Sequence, residues 1–316
     1  MKVLFIYKNE NFVVPVGLCT IAAVVKQAGH ETALCEVNAR DPLSAVAEMR
    51  PDAVAYSAST GEVKHYSRIN ARIKDAFPYV SSIMGGPHAT FYPEVIRDSS
   101  FDAICLGEGE RAIVSWLRAL EHNDPSERIP NIVTKGSTGT AIIGNLIEDL
   151  DSIPFPDYSL LYDNTPMGGY PLKSIITSRG CPYDCTYCFN ARWRSLYKGK
   201  GRFVRRHSVA YVIDQLRYIR SRWPLSFVKF YDDIFAYRLD DWLECFCREY
   251  KKKIGLPFFI LTRADLLTED MVRILKDAGC RTISMSIEAG DEGTRTGLLG
   301  RNMTDRQIVD AHRLCD

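Results

Sequence analysis

Three cysteines lie close together in one short segment of the sequence. Cys181, Cys185 and Cys188 occur in RGCPYDCTYCFN, residues 179–190, with the spacing Cys-x3-Cys-x2-Cys. Three thiolates on a short loop can bind three irons of a [4Fe–4S] cluster and leave the fourth iron open to a ligand. A structural zinc site needs four ligands, and neither His207 nor a nearby cysteine clearly provides the fourth. The spacing therefore favours an iron–sulfur cluster, with structural zinc and a redox-active disulfide as the less favoured alternatives.

The composition is that of an ordinary globular protein. The 316 residues favour two domains, and 46% of them are apolar, which is enough for a substantial core. The 40 basic and 39 acidic residues give a net charge of +1, which argues against nucleic acid or an anionic membrane as a partner. No apolar run reaches the ~18–20 residues of a membrane span, and the opening MKVLFIY is too short for a signal-peptide core. We therefore expect a cytoplasmic protein without a membrane span, in which the ten cysteines are thiols.

The first part of the chain alternates between strands and helices. Strands are predicted at 2–7, 31–37, 52–58, 80–85 and 101–107. Helices are predicted at 16–30, 42–49, 63–77 and 109–121. Near-continuous apolar strands separated by helices indicate an α/β fold with a parallel, doubly wound sheet. Such sheets bind ligands at the carboxyl ends of their strands.

Glycines and hydroxyl side chains follow three of these strands. The segments are SASTG (57–61), GGPHAT (85–90) and GEGE (107–110). Glycine lets the backbone approach a ligand closely, and a hydroxyl can hydrogen bond to the ligand's polar edge. Each segment alone could be a simple tight turn, but three of them on one edge favour a ligand site.

The second part of the chain repeats the alternation after a connection. A hairpin around Gly136–Gly139 and an extended linker at 153–161 are predicted in this connection. The later strands are predicted at 171–178, 226–232, 257–263 and 281–289, and the later helices at 208–222, 239–253, 268–279 and 304–315. These are four strand–helix units of a partial (β/α) barrel. The predicted domains are 1–145, a connection at 146–172, and 173–316. A complete barrel takes roughly 250 residues, so we expect this one to be truncated.

The segment CPYDCTYC resembles the signature of the radical S-adenosylmethionine enzymes, with the aromatic Tyr187 just before the last cysteine. The segment also follows the first strand of the predicted barrel, as in that family. The resemblance implies that Cys181, Cys185 and Cys188 bind a [4Fe–4S] cluster whose open iron chelates S-adenosylmethionine. It further implies that one electron, from a donor such as flavodoxin or ferredoxin, cleaves the sulfonium to a 5′-deoxyadenosyl radical.

The same resemblance suggests further contacts to S-adenosylmethionine at the ends of later strands. Asp232 and Asp233, in FYDDIF, stand where the family usually has Gly-Gly-Glu, which binds the methionyl amino group. Arg263, in LTRAD, ends the third strand, and Glu288, in SIEAG, ends the fourth. The alternative for each is a salt bridge at the rim of the barrel. The basic run KGKGRFVRR (198–206) favours a solvated loop over a phosphate or carboxylate site.

A doubly wound domain ahead of such a barrel is similar to the cobalamin-binding group of this superfamily. The implied cobalamin contacts are Ser57, Ser59, Thr60, Gly85, Gly86, His88, Gly107, Glu108 and Gly109. The Asp-x-His-x-x-Gly box, whose histidine ligates cobalt in some cobalamin proteins, is absent after the first strand, where KNENFVVPVG stands instead. His88 is therefore expected to be a turn residue or a contact to the nucleotide tail before it is a cobalt ligand.

The resemblance implies a cobalamin-dependent radical S-adenosylmethionine methyltransferase acting on an unactivated carbon or on phosphorus. No catalytic side chain beyond the cluster ligands is expected, because the cofactors carry the chemistry. One alternative is a radical cyclase or oxidase of the anaerobic magnesium-protoporphyrin ester cyclase type. Another, of a different class, is a non-catalytic sensor that binds cobalamin or a cluster. The expected small-molecule substrate is not identified by the sequence.

Overall fold

The computed structural model describes residues 1–9, 13–124, 128–137 and 141–316 of the chain. They form two compact units, which are described separately. One consists of Met1–Asn145 with Ile153–Gly168, and the other of Leu146–Ser152 with Gly169–Asp316. The chain thus passes between the units more than once, and the domain bounds drawn from the sequence remain a prediction.

The first unit is built on a six-stranded sheet. Its strands are β1 (Lys2–Tyr7), β2 (Glu31–Glu36), β3 (Ala53–Ser57), β4 (Ser81–Gly85), β5 (Ala103–Cys105) and β6 (Ile132–Thr134). Their spatial order is β2-β1-β3-β4-β5-β6, with β1 to β5 paired in parallel and β6 antiparallel to β5. The strand order reverses between β1 and β3, so the carboxyl ends of these strands flank the switch point at which such sheets bind ligands.

Helices of the first unit pack in two groups. They are α1 (Val16–Gln27), α2 (Pro42–Met49), α3 (Val63–Ala76), α4 (Pro87–Phe91), α5 (Val95–Asp98), α6 (Glu110–Glu121) and α7 (Tyr158–Tyr162). Helix α1 contacts α6 and α7, whereas α2 contacts α3. The apolar strands are buried between them, as Ile6 and Val54 illustrate, each with no exposed surface. The predicted parallel, doubly wound sheet is confirmed.

Two predictions for the connection differ from the structure. The segment 153–161 is not wholly extended, because α7 begins at Tyr158 and is capped by Asp157, whose carboxylate accepts from the backbone N–H of Leu160 at 3.3 Å. Aspartate is a strong N-cap residue, and this local signal was outweighed by the neighbouring prolines.

The first arm of the predicted hairpin contains β6, which pairs with β5, whereas the described residues 141–144 of the second arm are not a strand. The two arms are joined by the backbone N–H of Asn131, which donates to the carbonyl of Ile142 at 2.7 Å. Residues 138–140 of the predicted turn lie outside the described residues.

The second unit contains a four-stranded parallel sheet and a short ribbon. The sheet strands are β7 (Leu172–Ile175), β10 (Phe227–Phe230), β11 (Phe258–Thr262) and β12 (Cys280–Met285). Their order is β12-β11-β10-β7, and all neighbours are parallel. The antiparallel ribbon consists of β8 (Ser178–Arg179) and β9 (Arg205–Arg206). The four predicted strand–helix units of a parallel sheet are confirmed, whereas the ribbon was not predicted.

The helices of the second unit begin at side-chain caps in most cases. They are α8 (Phe189–Leu196), α9 (Val209–Arg222), α10 (Asp241–Lys253), α11 (Glu269–Ala278) and α12 (Asp305–Cys315). Ser208, Asp240, Thr268 and Thr304 cap the last four, each accepting from a backbone N–H three residues on. Helix α8 is the exception and was not predicted, because Cys188 at its N-cap position makes no side-chain cap.

The basic run 198–206 is not simply a solvated loop. Its last two residues form β9, and Arg205 is only 5% exposed. The Nη1 of Arg205 donates to the carbonyl of Ile147 at 2.7 Å, so this arginine is part of the framework of the unit. Across the residues that the structure describes, no helix is long and apolar enough to cross a membrane.

Candidate functional site

The three-cysteine segment forms a loop between the ribbon strand β8 and helix α8. Gly180 enters the loop with φ of +85°, and a Cβ at this position would lie 2.5 Å from the carbonyl oxygen of Phe203. Only glycine fits this conformation without displacing the backbone of its neighbour. The sharp entry directs the chain away from β8 and into the loop that carries the cysteines.

Helix α8 holds the loop in place through Arg194. Its guanidinium forms an ion pair with Asp184 at 2.9 Å and donates to the carbonyl of Tyr183 at 3.0 Å. It also donates to the carbonyl of Cys181. The backbone N–H of Thr186, on the same loop, donates to the carbonyl of Leu299 at 3.0 Å. The loop is therefore pinned both to the helix after it and to the segment that follows β12.

Two of the three thiols accept hydrogen bonds from buried side chains. Cys185 is 5% exposed, and its sulfur lies 3.7 Å from Nη1 of Arg263. The Nδ2 of the buried Asn190 lies 3.7 Å from the sulfur of Cys188. Donors aimed at sulfur favour the thiolate, which is the form that binds metal. Asn190 follows Cys188 by two residues but was not singled out by sequence reasoning, because asparagine carries no metal-ligand signal of its own.

The third thiol, Cys181, is in a different electrostatic environment. Burial raises its pKa, and the nearby Asp233, Cys188 and Cys185 raise it further. A metal would displace the proton of this thiol, so its binding would be coupled to proton release. The electrostatic coupling among the three cysteines shows that the loop brings them near one another.

The arrangement does not offer a ready zinc site. Among the residues that the structure describes, no group of three or more His, Cys, Asp or Glu side chains converges on one point where a single metal ion could be held. Zinc requires such convergence, because its four ligands share one ion. The thiolates of a [4Fe–4S] cluster each bind a different iron, so they need not converge. Three thiols on one short loop match the three protein ligands of such a cluster, whereas structural zinc would need a fourth ligand.

Arg263 is enclosed by three partners and is only 3% exposed. Its Nε and Nη2 donate to the two carboxylate oxygens of Asp265 at 2.9 and 3.0 Å. Its guanidinium carbon lies 3.8 Å from the ring centre of Tyr183, in a cation–π contact. Its remaining terminal nitrogen contacts Cys185. The structure thus brings this predicted residue to the cysteine loop, but beside a thiol rather than in an open pocket.

Tyr187 and Glu288 meet above the end of β12. The surrounding protein raises the pKa of Tyr187 to about 12 by desolvation, although 47% of the residue is exposed, and Arg301 opposes this shift. Glu288 raises the pKa further, through its charge and a hydrogen bond between the two side chains. Arg301 also donates to the hydroxyl of Tyr187 at 3.2 Å and to the carbonyl of Ser286 at 2.8 Å. Glu288 has φ of +71°, a strained conformation for a residue with a side chain. The sequence did not indicate Arg301.

The two adjacent aspartates diverge. Asp232 is 1% exposed and accepts from the backbone N–H and hydroxyl of Thr177 at 2.9 and 3.0 Å, and also from the hydroxyl of Ser178. Burial raises its pKa to about 6 in spite of these bonds. Asp233 instead is an exposed residue; desolvation of its carboxylate by nearby protein atoms raises its pKa, and a hydrogen bond with Asn190 opposes this shift. Only Asp233 lies with the cysteine loop, whereas Asp232 ties β10 to the end of β7.

In the first unit, the turns after β3 and β4 interlock. Ala58 donates its N–H to the carbonyl of Gly85 at 3.0 Å and accepts from the N–H of His88 at 3.0 Å. Gly86 has φ of +91°, and a Cβ there would lie 2.7 Å from the nitrogen of Ala58 and 3.0 Å from the hydroxyl of Ser57. Glycine is therefore required at position 86, and the two turns form one surface.

The turn after β5 is joined to the same surface through Thr90. The hydroxyl of Thr90 donates to the carbonyl of Gly86 at 3.0 Å and accepts from the N–H of Gly107 at 3.0 Å. Asn131 donates from Nδ2 to the carbonyl of the buried Glu108 at 2.8 Å. A Cβ added at position 109 would lie 3.3 Å from the sulfur of Cys105, which is a tight contact. Thr90 and Asn131 were missed, because their role depends on loops that only the sheet brings together.

His88 belongs to this edge as well. Its Nδ1 lies 3.2 Å from the hydroxyl of Thr60, and its ring stacks on Tyr92 with the centroids 5.2 Å apart. Burial lowers the pKa of His88, which favours a neutral imidazole at neutral pH. Ser59 donates its N–H to the carboxylate of Glu62 at 2.8 Å. The nine predicted cobalamin contacts thus lie at the carboxyl ends of β3, β4 and β5, either in the last residue of a strand or in the segment that follows it.

Comparison with known proteins identifies two families along the chain. The B12 binding domain matches residues 4–116, and the Radical SAM superfamily matches residues 175–316. An uncharacterized methyltransferase of Pyrococcus horikoshii is 28% identical over 312 residues, covering 94% of this chain and 65% of the relative. Cytidylyl-2-hydroxyethylphosphonate methyltransferase of Streptomyces wedmorensis is 24% identical, covering 87% of this chain and 61% of the relative.

A third relative bears the name of a cyclase, and a solved structure of another protein shares the fold. The anaerobic magnesium-protoporphyrin IX monomethyl ester cyclase of Rubrivivax gelatinosus is 25% identical, covering 92% of this chain and 56% of the relative. The cobalamin-dependent S-adenosylmethionine radical enzyme OxsB, solved with aqua-cobalamin and S-adenosylmethionine, superposes with a TM-score of 0.80 at 19% identity, over 99% of this chain and 47% of OxsB. This likeness shows the fold.

The order of the two matched families agrees with the fold. A B12-binding domain coincides with the doubly wound unit, and a radical domain coincides with the unit that carries the cysteine loop. The chain spans less than two thirds of the length of the curated relatives described above. The chain therefore combines a B12-binding domain with a radical S-adenosylmethionine domain, in that order.

Proposed function

We propose that this protein is a cobalamin-dependent radical S-adenosylmethionine methyltransferase that methylates an unactivated carbon or phosphorus of a small molecule. The observation that carries the proposal is the pinned cysteine loop at the strand ends of the radical domain, in a chain that also has a B12-binding unit. Two of the three relatives described above bear methyltransferase names. The electron would come from a small redox protein such as a flavodoxin or ferredoxin.

The residues present fit a [4Fe–4S] cluster. Cys181, Cys185 and Cys188 would hold it, and two of these thiols already accept hydrogen bonds from Arg263 and Asn190. The cluster, when bound together with S-adenosylmethionine, would supply the one-electron chemistry that cleaves the sulfonium. The chain's own residues fix the loop and shield it, since Cys185 is almost fully buried.

Residues around the loop would bind and orient S-adenosylmethionine. Asp233 lies beside Cys181 and would accept hydrogen bonds from the methionyl amino group. Glu288 and Tyr187 are held together, and Glu288 would contact the ribose or be placed near the methionyl carboxylate. Asp232 would act indirectly, because it is only 1% exposed and its Oδ1 accepts hydrogen bonds from Thr177 and Ser178, which fixes the end of β7 just before the loop.

The three interlocked turns of the first unit would bind cobalamin. They offer backbone groups and small side chains at the carboxyl ends of β3, β4 and β5, beside the switch point between β1 and β3, where a large flat ligand can lie close to the backbone. Residues Ser57, Ser59, Thr60, Gly85, Gly86, His88, Gly107, Glu108 and Gly109 are the proposed contacts. The close approach of Gly86 to Ala58 shows how little space remains behind this surface.

The proposal is tested by anaerobic reconstitution with iron, sulfide and cobalamin. Four irons and one cobalt per chain are expected. A chain that retains neither iron nor cobalt would contradict the proposal. A reductant and S-adenosylmethionine are then added, and the nucleoside products are separated. Release of S-adenosylhomocysteine that depends on cobalamin, together with 5′-deoxyadenosine, supports a methyltransferase. Release of 5′-deoxyadenosine alone favours a cyclase or oxidase, and bound cofactors without either product favour a sensor.

A matched pair of cysteine variants serves as the control. Cys185→Ala should lose iron and both products, because it removes a cluster ligand. Cys245→Ala should keep both, since Cys245 lies on α10 and is not part of the cysteine loop. The cytoplasmic location expected from the sequence remains a prediction.

A further inference from the structure

We propose that Arg263 acts on the iron–sulfur cluster rather than on S-adenosylmethionine, and that it raises the reduction potential of the cluster through Cys185. The inference rests on the proposed function, since it requires that the cysteine loop binds a cluster. Because Arg263 ends the third barrel strand, it was expected to contact S-adenosylmethionine, and the proposed role replaces that expectation.

The contacts of Arg263 leave little for a substrate to bind. Two guanidinium nitrogens of Arg263 donate to the carboxylate of Asp265 in a two-point ion pair, and Tyr183 covers one face of the guanidinium. Its terminal Nη1 is aimed at the sulfur of Cys185, 3.7 Å away. With only 3% of its surface exposed, the side chain is fixed in this position. A ligand arriving from solvent would have to displace at least one of these partners.

The position of the charge determines the direction of the effect. Reduction adds one electron to the cluster, supplied by a low-potential one-electron donor, and no proton or bond of Arg263 changes. A positive charge and a hydrogen bond at a ligating sulfur stabilise the more negative, reduced cluster. Burial strengthens the effect because solvent screens it less. Arg263 should therefore raise the potential of the one-electron couple.

Asp265 opposes Arg263 and provides a second, independent test. Its carboxylate compensates the guanidinium from the side away from Cys185. Removal of the negative charge, while Arg263 stays in place, should leave more uncompensated positive charge near the sulfur. Arg263→Met and Asp265→Asn are therefore expected to shift the potential in opposite directions, which a purely structural role of Arg263 would not produce.

The experiment is a redox titration of the reconstituted 316-residue chain, followed by electron paramagnetic resonance of the reduced cluster. At the wild-type midpoint potential, Arg263→Met should lower the ratio of reduced to oxidised cluster at least tenfold, which corresponds to about 59 mV for one electron. Asp265→Asn should raise the same ratio. S-adenosylmethionine affinity, measured by equilibrium dialysis, should stay within about threefold of wild type in Arg263→Met.

The matched control is Arg206, a largely buried arginine of the same unit whose side chain is 10% exposed. Arg206 lies 4.2 Å from the ring centre of Tyr237 and donates to the carbonyl of Phe235 at 2.7 Å. Arg206→Met removes a buried guanidinium of the unit without removing the contact to Cys185, so the midpoint potential should not move.

Each outcome decides the matter. Unchanged potentials in both variants, or shifts in the same direction, would overturn the proposal. A more than tenfold loss of S-adenosylmethionine affinity in Arg263→Met, with an unchanged reduction potential, would show that Arg263 acts in binding S-adenosylmethionine and would overturn the proposal. If Arg263→Met assembles no cluster, Asp265→Asn decides alone, and an unchanged potential in that variant is a negative result. A wild-type chain without iron would instead refute the proposed function, and the iron assay shows this separately.

Discussion

The hydroxyl of Tyr187 lies 3.2 Å from Nη1 of Arg301, although 114 positions separate the two residues in the chain. This contact joins the cysteine loop to the segment that follows β12. Arg301 is 7% exposed and is anchored to the carbonyl of Ser286, so it holds the tyrosine from a fixed position. Glu288 bonds to the same tyrosine. The three side chains therefore link the two parts of the proposed S-adenosylmethionine site.

Loss of this link should weaken S-adenosylmethionine binding. Tyr187→Phe removes the hydroxyl that joins Glu288 and Arg301, at a cost of about 0.5–1.5 kcal/mol for a typical hydrogen bond. Dissociation constants measured by equilibrium dialysis should rise by up to about tenfold. Arg306→Met, at an arginine whose side chain is 90% exposed on α12, is the control and should bind as wild type does. Equal affinities of all three proteins would contradict the role of Tyr187.

Asp232 should make stability depend on pH in an unusual direction. Its pKa rises from 3.8 to about 6 on folding, because burial penalises the charged form. Between these values the folded state binds more protons than the unfolded state, so stability falls as pH rises through this window. The difference amounts to about 3 kcal/mol between the two ends. Urea unfolding at a series of pH values measures it.

The control for this pH dependence is Asp232→Asn, which cannot ionise. Oδ2 of Asp232 has no hydrogen-bond partner within the described part of the chain, whereas Oδ1 accepts from Thr177 and Ser178 and can be retained as the amide oxygen. The free energy of unfolding of wild type minus that of the variant should decrease from pH 4 to pH 7. A constant difference would show that folding leaves the pKa of Asp232 unchanged, and an increase would show that folding lowers it; either result contradicts the prediction.

Gly86 should be intolerant of any side chain. Gly86→Ala would place a Cβ 2.7 Å from the nitrogen of Ala58 and force a φ of +91° on alanine. With ψ of −176° this is a conformation adopted almost only by glycine, so it alone costs roughly 1–3 kcal/mol for alanine, and the clash adds to it. We expect a lower melting temperature and loss of bound cobalamin, read from its visible absorbance. Gly61→Ala is the matched control, since nothing lies within 4 Å of the added Cβ, and wild-type behaviour of Gly86→Ala would refute the interlocked-turn surface.

His88 should not ligate cobalt. Its Nδ1 contacts Thr60 and its ring stacks on Tyr92, which gives the imidazole a structural role in the turn. Electron paramagnetic resonance of bound cob(II)alamin should therefore show no histidine nitrogen coupling, and His88→Gln should leave the spectrum unchanged. A nitrogen coupling in wild type that disappears in the variant would establish His88 as the lower ligand.

Local patterns in the sequence determined the order of strands and helices and the chemical type of the cysteine loop. Apolar strands with helical spacers predict a parallel sheet because both of its faces must be buried. Thr268 and Thr304 predict helix starts because a cap satisfies backbone N–H groups only a few residues away. The spacing of Cys181, Cys185 and Cys188 is likewise local. These signals survive because they involve residues that are near one another along the chain.

The tertiary structure decided which side chains meet at the candidate sites. Asp232 and Asp233 were predicted to have the same role from the sequence. In the folded chain, the side chain of Asp232 contacts the end of β7, whereas the side chain of Asp233 lies with the cysteine loop. Arg263 and Cys185, or Thr90 and Gly107, are paired only after loops from different strands converge. Such contacts leave no mark on local periodicity, since their energy comes from hydrogen bonds formed across long loops and only in the folded chain.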